Sequence, residues 1–164
     1  MDYGYADTML FGQIENILAR VFHVEPAGKK VLGARLKHLR IIGVPELARP
    51  GSGQRLLYTK DMAFEMLFAT GWENLGQTPR IAAKLAKELK TYSKTEQIKK
   101  AHEKGEALFA MLVPGGDGVV KQLTFFTGED LKQTLPVVFS AMNLTALMAK
   151  FEQEWAVERK GGGR

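Results

Sequence analysis

Eight cations crowd one stretch of this 164-residue chain. Between residues 27 and 60 stand Lys29, Lys30, Arg35, Lys37, Arg40, Arg49, Arg55 and Lys60, against one acid, Glu46. The window therefore carries +7, while the remaining residues hold 15 cations and 17 acids, a balance of −2. All of the net charge of +5 is thus local. A concentrated positive field suits a phosphate backbone better than it suits general solubility. The chemistry on offer is electrostatic docking, with Lys29 and Lys30 near the start of a basic segment. Arg49 and Arg55 flank the turn residues Pro50-Gly51-Ser52-Gly53.

Bond-making chemistry has little to work with. The chain has no cysteine, which removes disulfides, thiolate nucleophiles and cysteine zinc sites. His23, His38 and His102 do not cluster in sequence, so no metal site is expected. Neither a GxxxxGK[ST] loop nor a GxSxG elbow occurs. Gly115-Gly116-Asp117-Gly118 lies between two strand-like runs and reads as a hairpin turn. Glu152 and Glu154 fall on the polar face of a helix that needs charges anyway. No nucleophile–base pair stands out, and neither an enzyme nor a cofactor is expected.

The elements that must carry the cations follow from periodicity. Phe11, Ile14, Leu18, Val21 and Phe22 recur at helical spacing, and Pro26 and Gly28 end that pattern. A second helix is expected from Lys30 to Ile42, with Leu32, Leu36, Leu39 and Ile42 on one face. Arg35, Lys37, His38 and Arg40 occupy the rest of its surface. Gly43 supplies a left-handed stop and Pro45 prevents continuation. Residues 46–58 read as a short hairpin. Thr59 is a cap residue for a third helix that weakens at Gly71, and Thr78-Pro79 opens a fourth. The order is helix, turn, basic helix, arginine-bearing hairpin, helix. A helix matches the major groove, and a hairpin can reach the neighbouring backbone.

At these residues the chain resembles the DNA-binding domain of the MerR-like family. Gly43, Pro45, Arg49, Gly53, Arg55 and Asp61 follow that family's order from recognition helix through wing to the next helix. The likeness spans roughly residues 12–75. Gln54 stands where the family has an aromatic, and Tyr58 falls one place late. Arg40-Ile41-Ile42 replaces an Arg-Tyr-Tyr, and cysteine metal sensors have no counterpart. The resemblance implies a winged helix-turn-helix that binds double-stranded DNA. The candidate DNA-binding set is Lys29, Lys30, Arg35, Lys37, His38, Arg40, Arg49, Gln54, Arg55 and Tyr58.

The second half changes character. Residues 91–105 are polar and read as a linker or a solvated helix extension. Ala107–Val113 and Val119–Phe126 are strand-like. Thr127-Gly128-Glu129-Asp130 resembles a helix start, followed by a strand over Val137–Met142. A last helix is expected from Asn143 or Leu144. On it Leu147, Phe151 and Trp155 form a stripe that either enters the core or meets a second copy. The expected class is α+β: a mainly helical winged helix-turn-helix with a β-hairpin wing over 10–90, and a small α+β dimerisation or interaction unit over 106–158. Residues 159–164 read as a disordered tail.

The N-terminus, MDYGYADTML, lacks the basic n-region of a signal peptide, and no apolar run is long enough to span a bilayer. The composite expectation is a cytoplasmic, bacterial or phage-type transcriptional regulator that binds double-stranded DNA as a homodimer. Two alternatives share the fold. One is an adaptor whose basic face meets an acidic protein partner. The other is a DNA-architecture or recombination accessory protein.

Overall fold

The computed structural model describes residues 8–46, 56–89, 92–114, 120–127, 129 and 140–161. It is an α+β structure with two small antiparallel sheets. Strand β1 (Thr8–Met9) leads into helix α1 (Phe11–Val21), whose Ile14, Ile17, Leu18, Ala19 and Val21 are buried. The Leu10 N–H donates to Gln13 Oε1 at 2.9 Å and opens that helix. A 3-10 turn (Pro26–Gly28) runs directly into α2 (Lys29–Ile41). Helix α2 ends as the sequence predicts. Gly43 has φ +88°, and the Val44 N–H reaches back to the Leu39 carbonyl at 2.9 Å. The same device closes α1, but there the left-handed position is held by His23, at φ +52°.

Strand β2 (Tyr58–Thr59) pairs with β1, Thr59 opposite Thr8 and Tyr58 opposite Met9. Thr59 then caps α3 (Lys60–Asn74), its hydroxyl accepting the Met62 N–H at 3.3 Å, with Asp61 in the first turn. Thr78 accepts the Ile81 N–H at 3.4 Å and opens α4 (Pro79–Leu89). Helix α3 does not weaken at Gly71. A Cβ there would lie 2.7 Å from Met142 Cε, so the missing side chain admits the second sheet against the helix.

Residues 92–103 form helix α5 (Tyr92–Glu103), with Ile98 and Ala101 buried. Strand β3 (Leu108–Pro114) is the centre of the second sheet, flanked by β4 (Val120–Thr127) and β5 (Ser140–Asn143) in the order β4-β3-β5. Asn143 Oδ1 accepts the Ala146 N–H at 3.0 Å and starts α6 (Leu144–Gly161). Helix α6 packs along α1 and against α5. One continuous apolar core therefore joins residues of both halves of the chain, from Met9 and Ile14 to Phe151 and Trp155.

The stripe expected on α6 is in that core. Phe151 is 0% exposed and Trp155 3%, and Leu147 packs against the cluster. Phe151 lies 5.5 Å from the Phe64 ring of α3 and 5.6 Å from Trp155. These residues hold the chain's own halves together, so they are withdrawn as dimer contacts. The physical reason is that α1 and α3 already present the apolar surface the stripe needs.

Several expected features lie outside the described residues. They are the wing turn with Arg49, Gln54 and Arg55, the turn at 115–118, the start of the short helix after Thr127, the first part of the Val137 strand, and the last three residues.

Candidate nucleic-acid interface

Helix α2 contains no acidic residue. Its inward face is Leu32, Gly33, Leu36 and Leu39, all buried. Gly33 sits at the crossing with α1, where a Cβ would meet the Glu15 carboxylate at 3.1 Å. At 100° per residue the opposite face is Lys30, Val31, Ala34, Lys37, His38 and Ile41. All six are exposed. Val31 is 63% exposed and Ile41 79%. An outward face with two lysines, a histidine and two large apolar side chains has no packing explanation within the chain.

The charge order along α2 also works against its own stability. Lys29 and Lys30 fill the first turn, where the helix dipole favours acids, and Gly28 offers no side-chain cap. The 3-10 turn partly relieves this, since the Lys29 N–H bonds to the Pro26 carbonyl. That bond removes one amide expected to meet an anion, and leaves attraction to the side chains. Lys29 Nζ donates to Asn16 Oδ1 at 2.5 Å, a neutral partner that leaves its charge uncompensated. Among the described residues, no carboxylate lies against Lys30, Lys37 or His38 within ion-pair distance.

The remaining candidates divide. Arg40 is exposed, its guanidinium 5.2 Å from the Phe11 ring centre and 5.9 Å from that of Tyr58. Two aromatic faces thus fix the cation at one edge of α2 without neutralising it. Arg35 is different. Its guanidinium donates to Glu73 Oε2 at 3.0 and 3.2 Å and to Asn74 Oδ1 at 3.0 Å. It is a tie between α2 and α3, and its charge is spent there. Lys60 likewise pairs with Glu152.

Tyr58 is corrected outright as a phosphate contact. It is 0% exposed, its ring beside Phe11, and its hydroxyl has no hydrogen-bond partner among the described residues. Burial pushes its phenol above the ordinary value, with the nearby Arg40 charge opposing. Its pairing with β1 puts the ring on the core side.

A second ion-pair cluster lies behind α2. Arg20 Nε donates to Glu154 Oε2 at 2.6 Å, and its terminal nitrogen to Glu158 Oε2 at 2.8 Å. Burial disfavours the Arg20 charge, but the bonds to Glu158 and Glu154 outweigh it and raise the group further. Glu154 also accepts from Lys150 at 2.8 Å. That bond, with Arg20 adding to it against partial burial, holds the carboxyl below its ordinary range. These pairs clip α6 to α1.

One basic feature escapes the sequence reading. The end of α2 at Ile42 and the polar face of α4 line a shared open recess, with Arg80, Ala83, Lys84, Lys87 and Glu88. A Cβ on Gly43 would lie 3.5 Å from Lys87 Nζ. The charge window ending at Lys60 hides these cations, because only folding brings α4 beside α2.

Among the described residues, no helix is long and apolar enough to cross a membrane, and no group of three or more His, Cys, Asp or Glu gathers as for a metal. No protein-family model matches the chain, and no curated protein does so either.

Proposed function

We propose that the chain is a winged-helix-type protein that binds double-stranded DNA and regulates transcription, with α2 as the helix that enters the major groove. The observation that carries this reading is the acid-free outer face of α2: Lys30, Lys37 and His38 without a carboxylate partner, beside exposed Val31 and Ile41. Lysines provide phosphate attraction, and apolar side chains suit thymine methyl groups. Lys29, bonded only to a neutral amide, and Arg40, propped on two rings, extend the same field. The arginines of the proposed wing, Arg49 and Arg55, would add backbone contacts beyond the helix. Reading two half-sites as a homodimer is the mode in keeping with this reading, through a surface other than the buried α6 stripe.

The mechanism is release of counterions from phosphates by a fixed set of cations, with groove contacts selecting among sequences. Fluorescence anisotropy of labelled duplexes across a salt series tests it. If about six phosphates are neutralised per dimer, log affinity falls against log salt with a slope near −5. Affinity that does not respond to salt contradicts the reading. An adaptor is the second reading, favoured by the exposure of Val31 and Ile41. Failure to bind duplex at moderate salt, with retained binding to an acidic protein surface, would select it.

A further inference from the structure

Helix α4 was not singled out by charge density, yet it carries a stripe of cations at helical spacing. Arg80, Lys84 and Lys87 stand at i, i+4 and i+7, and all three are exposed. The opposite face is fully committed: Ala82, Ala83, Leu85, Ala86 and Leu89 are buried, largely against α3. The stripe therefore cannot rotate away from solvent without undoing the core. Only one acid, Glu88, shares the recess that these cations line with Ile42 at the end of α2.

From this geometry we infer that α4 is a second phosphate-contacting element, which grips the DNA backbone flanking the groove that α2 would occupy. The inference rests on the DNA-binding reading of α2 and adds to it Arg80, Lys84 and Lys87 as backbone contacts. Three features support it. The recess is continuous with the end of α2, so a duplex seated on that helix runs past α4. The stripe is ~10 Å long, from seven residues at 1.5 Å each, and matches the axial rise of about three phosphates on one strand. The side chains are lysine and arginine on a rigid helix, with Lys87 beside the bend at Gly43, where the chain leaves α2 for the segment expected to form the wing. Such contacts fix register and carry no base information.

The test is Arg80→Gln/Lys84→Gln/Lys87→Gln in the full chain. Glutamine keeps helix propensity and length while removing charge. Duplex affinity at ~0.15 M salt should drop by about 10-fold or more, and the salt slope should become shallower by about 2 to 3 per protomer. The ranking of different duplexes should not change. Lys84→Arg/Lys87→Arg should bind as the wild type does. Should the triple variant fold poorly, Lys84→Glu alone gives the same reading, with ~10-fold weaker binding expected. Wild-type affinity and slope in the triple variant, where Lys30→Gln/Lys37→Gln is weakened, overturn the role of α4 and leave the α2 reading intact. A wild-type protein that binds no duplex at all overturns both.

Discussion

At the scale of single residues, the structure separates cations held by carboxylates from cations held by nothing charged. Arg35 and Lys60 belong to the first group, Lys30 and Lys37 to the second. Lys30→Ala/Lys37→Ala should therefore cost about 10- to 100-fold in duplex affinity with the melting temperature nearly unchanged, because both side chains are exposed. Arg35→Ala should do the reverse. It leaves the largely buried Glu73 carboxylate without its partner and should lower stability by ~1 to 3 kcal/mol, as judged by urea unfolding. Tyr58→Phe removes a buried hydroxyl that makes no hydrogen bond among the described residues. It should leave the melting temperature equal or higher and DNA affinity unchanged. A marked loss of binding in that variant would return Tyr58 to the contact set.

At the scale of elements, local signals were legible and long-range ones were not. Thr59, Thr78 and Gly43 announce helix ends through hydrogen bonds spanning three to five residues, so their meaning is contained in the neighbouring sequence. The apolar stripe on α6 was equally visible, but its partner was not. Nothing near Phe151 in sequence says that Phe64 of α3 and the buried face of α1 will receive it. Burial of Tyr58 depends on pairing with Met9, and the recess at α4 depends on the path of α3; both are consequences of the fold. Gly71 illustrates the same point. It looked like a weak spot in a helix, and it is the place where Met142 comes close. Gly71→Val should destabilise by ~1 to 3 kcal/mol through overpacking, measurable as a lower urea midpoint at constant slope.

At the scale of the whole molecule, α6 closes the core over α1 and α3, so the two sequence halves should unfold together. Calorimetry should show one transition, and a fragment ending at residue 105 should lose the near-ultraviolet signal of Trp72, which is buried in the same cluster. The ion-pair clip sets the acid side of this cooperativity. Glu154 has its carboxyl held low by Lys150 and Arg20, so its contribution is present above the ordinary carboxylate value and is lost as pH falls through the folded value. The melting-temperature gap between wild type and Glu154→Gln should be constant from pH ~5 to 8 and shrink below pH ~4.5. A gap that persists under strong acid would mean that packing, not charge, is what Glu154 contributes.

The account turns on whether α2 is the surface that meets a duplex. Amide chemical shifts of isotope-labelled protein titrated with duplex DNA at low salt address that directly. The largest changes are expected over residues 29–42, with a smaller set at 80–87. Changes confined to α5, β3 or α6, with 29–42 unmoved, would contradict it.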